Sequence, residues 1–322
     1  MRHLFVGGLL LFACTGATFA AVDQELLALV PPGATIITSV DVHQAKSSRF
    51  GQYVLNRFNA EDRSFQELIQ RTGFDPRRDL QGFVVATPAS DTDESEPKFA
   101  VIVRGNFDRY RIRAMAKTNG ASIQNYRGSE IFVDKSGHGP SAFAFTGPDI
   151  LVMGNLATVQ QVLANRSHPT SLDAGLQQLI MNVSANNDAW FASVMPGAYL
   201  ANHLKQTDRP PEAEQAVNSI VQSSGGIQFG DTVRLSFDAI ARSPKDAQSV
   251  ADIIKFLASL AQMNRDKGPN AQILATATEA MNLQTDGDTV HLSLSLPETS
   301  LEQLANGAVG PSLHRRTPQS QR

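Results

Sequence analysis

The stretch GDTVRLSFDAIARSPKDAQSVADIIKFLASLAQ, Gly230–Gln262, decides the fold. Its first part alternates: Val233, Leu235, Phe237 and Ala239 are apolar, and Thr232, Arg234, Ser236 and Asp238 are polar. A period of two puts one set on a core and the other toward water, the pattern of a half-wet antiparallel strand. Ser243 then offers a helix cap. Pro244 suits the first helical turn, where its missing N–H costs nothing. Beyond it Ala247, Val250, Ala251, Ile254, Leu257, Ala258 and Ala261 recur at helical spacing. They form one apolar stripe, expected to lie buried on the apolar face of the sheet.

The same unit returns in GDTVHLSLSLPETSLEQL, Gly287–Leu304, where Val290, Leu292, Leu294 and Leu296 alternate with Thr289, His291, Ser293 and Ser295. Looser copies occupy Lys98–Lys117 and Gly147–Leu163. In these Asn106 is read as the cap of a helix over Phe107–Lys117, and Asn155 as the cap of a helix bearing Leu156, Val159, Val162 and Leu163. Ala34–Val42 and Asp188–Val194 read as strands that each lead into a helix. Further helices are expected over about Gln44–Phe58, Glu212–Ser223 and Asn270–Met281. The expected fold is α+β: two similar halves, each with a curved, mainly antiparallel sheet and helices packed on one face. The halves are drawn at 21–168 and 169–307, after a leader at 1–20 and before a disordered tail at 308–322. The two Gly-Asp-Thr-Val-x-Leu-Ser segments, 57 residues apart, favour an internal duplication.

The chain of 322 residues is long enough for one large domain or two ordinary ones, and with 42% apolar and 18% charged residues it is globular in class. Its formal charge is −3, and loss of Arg2 with the leader makes it −4. That balance gives no electrostatic reason to expect nucleic acid or anionic lipid. The leader has a short basic start at Arg2 and His3, an apolar run over Leu4–Phe12, and a small-x-small site at Thr18-Phe19-Ala20. This predicts export to a periplasmic or extracellular location, since the run is too short to span a bilayer. Leu11-Phe12-Ala13-Cys14 offers an alternative, lipidation at Cys14, which would bring the only expected membrane contact. Cys14 is the sole cysteine, so its loss with the leader would exclude disulfides, Cys-ligated zinc and a Cys nucleophile.

Motifs that carry chemistry are few. HExxH, GxSxG and Walker patterns are absent from the sequence. The acidic loop Ala89–Pro97 has Asp91, Asp93 and Ser95 at alternate positions, but an EF-hand needs Gly and a carboxylate where Glu96 and Ile102 stand. Ser95-Glu96-Pro97-Lys98 has acylase spacing but holds a proline where a helical turn is required. Gly137-His138-Gly139 reads as a turn, and no two histidines stand at metal-ligand spacing. Asn165-Arg-Ser and Asn182-Val-Ser fit the glycosylation pattern, and Trp190 reads as packing. No cofactor or metal is expected. The one candidate ligand-binding group is Arg234, Ser236, Asp238 and His291, which strand alternation places on one polar sheet face.

The segments LLALVPPGATIITSVDV, FGQYVLNRF, GFDPRRDL and DAWFASV give the chain its outward character. In these it resembles a family of uncharacterised exported bacterial proteins, a resemblance that implies an extracytoplasmic bacterial setting and carries no activity. Three functions follow as expectations. The first is a non-enzymatic extracytoplasmic binding or scaffold protein with an unknown protein or apolar small molecule as partner. The second is a carrier of lipid or another apolar ligand, which requires a cavity of a few hundred Å3 between sheet and helices. The third is a hydrolase with dispersed active-site residues.

Overall fold

The computed structural model describes residues 23–56, 63–88, 99–134, 142–167, 171–197 and 211–308. The leader with Cys14, the acidic loop, the Gly-His-Gly turn and the chain beyond 308 lie outside the described residues, as does most of a helix expected near Gly197–Lys205.

The first half runs α1 (Gln24–Ala28), β1 (Ala34–Asp41), α2 (Val42–Ser47), α3 (Arg49–Asn56), α4 (Arg63–Thr72), α5 (Pro76–Asp79), β2 (Leu80–Pro88) and β3 (Ala100–Gly105). It continues with α6 (Arg109–Thr118), β4 (Ser122–Tyr126), β5 (Ser129–Val133), β6 (Ala142–Phe145), β7 (Ile150–Gly154) and α7 (Leu156–Ser167). After α8 (Ala174–Ser184) come β8 (Ala189–Ser193), α9 (Pro211–Ser219), β9 (Ile220–Gln228), β10 (Thr232–Ala241) and α10 (Pro244–Met263). Then follow α11 (Pro269–Glu279), β11 (Asn282–Asp286), β12 (Thr289–Pro297) and α12 (Glu298–Ala308). The fold is α+β. Among the described residues twelve strands form one open sheet, in the order β11-β12-β10-β9-β8-β1-β2-β3-β7-β6-β5-β4. The halves meet where β1 pairs antiparallel with β8, from Ile36↔Ser193 to Val40↔Ala189.

Register fixes the two faces. One row of directly opposed residues runs Ile131, Ala144, Val152, Ile102, Val84, Ser39, Trp190, Gly226, Ser236, Ser293 and Asn282. Side chains directly opposed across a pair share a face, so this row defines the near face. Over β1–β3 and β5–β7 the near face is dry. Leu26 of α1 and Val30 just past it, Val159 and Val162 of α7, and Leu176, Leu179 and Ile180 of α8 bury it together with Ile37, Val84, Ile102 and Val152. Arg104 pins α1 there, its guanidinium 2.6 Å from Asp23 and 2.7 Å from Glu25, with Asp149 as a third partner. Those three carboxylates hold its pKa well above the usual arginine value.

In the second half, helices cover the far face. Ala216 of α9 and Ala247, Val250 and Ala251 of α10 pack on Ala239, Ala241 and Val290. The first half carries helices on the far face as well, because Leu68 of α4 and Ile112 and Met115 of α6 meet Val103, Leu151 and Met153 there. Only the first half of the long apolar stripe is buried. Leu257 is 56% exposed, and Phe256, Leu260 and Met263 beside it are also open. A twenty-residue helix is about 30 Å long and overruns its buried end, so its far end packs instead on α11, where Gln262 Nε2 donates to Ala275 O (2.6 Å).

Several local expectations are corrected. Asp108, not Asn106, caps α6, its carboxylate accepting from Arg111 N at 3.1 Å. The single helix expected over Gln44–Phe58 is two, broken at Ser48, where the backbone is extended (ψ 152°). The helix expected to reach Ser223 stops at Ser219, and Ile220–Gln228 is strand β9. The two GDTV segments belong to β10 and β12, which pair with each other inside the second half, so they mark no correspondence between halves. Ser243 and Asn155 cap α10 and α7 as expected, accepting from Asp246 N (3.2 Å) and Thr158 N (2.8 Å).

Candidate functional site

The four residues singled out by alternation do share a face. Asp238 opposes His291 across the β10–β12 pair, Ser236 opposes Ser293, and Arg234 opposes Ser295. His291 Nδ1 lies 2.6 Å from Asp238 Oδ1, with side chains 49% and 43% exposed. Arg234, Ser293 and Ser295 are exposed too. Ser236 Oγ is 3.5 Å from Asn187 Oδ1, and among the described residues no hydrogen bond joins His291 to a serine. An Asp–His pair activates a nucleophile only when the ring's second nitrogen engages one. Here the pair stands on an open surface, and no cavity of those described is lined by it. Among the described residues no group of three or more His, Cys, Asp or Glu side chains is placed to hold a metal. Asn165 is no exposed acceptor: it is 4% exposed, and its amide donates to Ala28 O (3.0 Å) and Val30 O (2.9 Å), tying α7 to the end of α1. Trp190, 5% exposed, is core.

Two concavities flank α6, and sequence reasoning named neither. The first is an apolar cleft of about 310 Å3 on the far face. Val103, Phe107, Ile112, Met115, Phe143 and Leu151 form much of its wall, with Leu68 at the rim. Its one hydroxyl is spent, since Thr72 Oγ1 donates to Leu68 O at 2.6 Å. The wall follows from alternation: Phe143, Val103 and Leu151 are the far-face partners of Ala144, Ile102 and Val152 one residue away.

The second is a pocket of about 590 Å3 on the other flank of α6. Phe132 and Phe145 supply its apolar floor, and Arg109, Arg113, Arg166 and Glu130 its charge. Arg109 and Arg113 stand one turn apart on α6 and therefore share a stripe. Arg109 lies over the Phe145 ring, 5.0 Å from its centre. Arg113 pairs with Glu130 through two hydrogen bonds of 2.9 and 2.8 Å, and this hydrogen bonding holds the Glu130 carboxyl below the usual range. Thr146 also lines the pocket, and its buried hydroxyl has no hydrogen-bond partner among the described residues. The rings connect the two concavities. Phe107 of the cleft meets Phe145 of the pocket edge-on at 5.8 Å, and Phe143 stacks on Phe132 at 4.8 Å.

No family model matches the chain, and no curated protein matches it. Among solved structures the chain is similar to crystal form I of TP0453, with TM-score 0.50, 11% identity, and coverage of 90% of this chain and 100% of that one. At that identity the likeness is one of fold. No helix among the described residues is long and apolar enough to cross a membrane.

Proposed function

We propose that the protein is a non-enzymatic binding protein for a ligand with an apolar body, acting after export to the periplasm or the extracellular space. The observation that carries this reading is the far-face cleft: about 310 Å3 between sheet and helices, walled by apolar side chains whose one hydroxyl is already hydrogen-bonded. Small-molecule sites are concave, mostly apolar and of this size, and an apolar ligand gains by the area it removes from water. The leader and the resemblance to exported bacterial proteins support the extracytoplasmic setting. An internal duplication fits the topology. In each half a central strand is followed by helix, hairpin and helix, and the half's last strand, reached through β4–β6 in one and β11 in the other, pairs with the hairpin's second strand, β7 on β3 and β12 on β10.

The test is titration of the purified protein with a neutral apolar dye, N-phenyl-1-naphthylamine. One bound dye per chain is expected, and Met115→Trp, which fills the cleft from α6, should weaken binding at least tenfold without lowering the melting temperature. Absence of binding, or binding untouched by Met115→Trp, would overturn the reading.

A further inference from the structure

We infer that the ligand is an anionic amphiphile, its chain in the apolar cleft and its headgroup among Arg109, Arg113 and Arg166. The inference rests on the cleft being the ligand site and adds the chemistry of the other end. Three guanidinium groups and one carboxylate line the second pocket, which leaves a surplus of two positive charges. That surplus is local, for the whole chain is acidic by three. The one carboxylate, Glu130, is spent on Arg113. Arg109 has a ring beneath it and no carboxylate partner among the described residues. Arg166, at the end of α7, is exposed and without a partner among the described residues. Guanidinium forks bind carboxylate and phosphate with two parallel hydrogen bonds, which makes arginine the side chain of choice for such groups.

The arrangement points to one ligand rather than two. Helix α6 is the shared wall: Ile112 and Met115 face the cleft, while Arg109 and Arg113 face the pocket. The ring contacts from Phe107 to Phe145 and from Phe143 to Phe132 make what separates the two spaces an apolar layer of packed rings, with no polar group in it. Phe132 and Phe145 are buried, so an acyl chain reaching from one space to the other parts these rings and replaces their contacts with its own. A free anion would make no use of the cleft, and a neutral apolar molecule would make no use of the arginines.

Displacement of bound N-phenyl-1-naphthylamine tests this. The competitors are hexadecanoate, hexadecyl phosphate, hexadecanol and inorganic phosphate. At least one of the two anionic amphiphiles should displace the dye about tenfold better than hexadecanol, the gain expected from one charge-assisted contact. The preference should shrink with added salt. Arg109→Gln combined with Arg166→Gln should remove it and leave hexadecanol unchanged; Arg113 is kept because it anchors Glu130. A preference for carboxylate alone or for phosphate alone upholds the inference and identifies the headgroup. Equal displacement by all three long-chain compounds would overturn it while leaving the apolar-ligand reading intact. Dye displacement by inorganic phosphate as effective as that by the amphiphiles would also overturn it. If the dye itself does not bind, the reading beneath the inference fails, which is a separate result.

Discussion

One face of one sheet is dry over β1–β3 and β5–β7 and wet over β10–β12. The row that starts Ile131, Ala144, Val152, Ile102, Val84 ends Gly226, Ser236, Ser293, Asn282, with Ser39 and Trp190 at the seam. The helices account for the difference: α1 and α8 lie on the dry side, and the helices that follow the two closing strands take different paths. Helix α7 leaves β7 and folds back over the near face, burying Val159 and Val162. Helix α12 leaves β12 and packs on α3 and α11 instead, and the Glu298 carboxylate at its start accepts from Phe50 N of α3. Strand alternation therefore shows which residues share a face. Which face is covered depends on where the next helix goes.

The largest test of this division compares the same row on its two sides. Ile102, on the near face of β3, is fully buried between Val84 and Val152. Ile102→Ala should cost about 3 kcal/mol through lost burial and the cavity left behind. Ser293→Ala, in the same row on the wet side, should change stability by less than about 0.5 kcal/mol. Urea unfolding of both variants measures the contrast, and equal costs would break it.

The sequence makes the wet strands plain because each half-exposed strand writes its two faces in alternate letters. Arg234, Ser236, Asp238 and His291 were therefore legible as one group. Strand β9 was not, for its SSGG core has no alternation to read. Its glycines are there for contact: a Cβ on Gly225 would come within 2.8 Å of the Phe191 ring, and one on Gly226 within 2.2 Å of Asn187. The break at Ser48 was hidden because Phe50, Val54, Leu55 and Phe58, whose spacing suggests the helix, all lie beyond it. The arginine pocket was invisible for a different reason. Arg109, Glu130, Phe145 and Arg166 come from four elements that only the sheet order brings together, and no spacing along the chain records that.

A smaller effect is expected at the seam. Asp188, just before β8, is buried and accepts from Phe229 N at 2.7 Å. Burial pushes its carboxyl above the usual range, and the neighbouring Asp41 adds to the shift. A raised folded-state pKa means that folding favours the protonated form. The stability it contributes is present below the ordinary carboxylate pKa and is lost as pH rises through the folded value. Asp188→Asn removes the charge and keeps an oxygen to accept from Phe229. The variant should therefore melt higher than the parent at pH 7, by under about 1 kcal/mol of stability, and the gap should close as pH falls toward 4. Thermal melts at the two pH values decide it, and a variant less stable at pH 7 would refute the assignment.

The smallest effect belongs to the pair that alternation singled out. Asp238 and His291 are nearly half exposed and touch across two strands with solvent on the near side. Such a pair is ionic only where the imidazole is protonated, and exposed ion pairs contribute roughly 0.2–1 kcal/mol and weaken with salt, because water and counterions screen them. A double-mutant cycle with Asp238→Ala and His291→Ala should give a coupling in that range, falling between low and 0.5 M salt. A coupling above about 2 kcal/mol would require the pair to be desolvated. Since the residues around it are polar and open, desolvation would need a cover from outside the sheet, a second copy of the chain or another protein. The cycle repeated over a range of protein concentrations separates these cases, because only self-association makes the coupling grow with concentration. A low, salt-sensitive coupling at every concentration leaves the face wet, and the difference between the two halves then lies in the helices alone: α1, α7 and α8 cover the near face of one, and α12 leaves that of the other for α3 and α11.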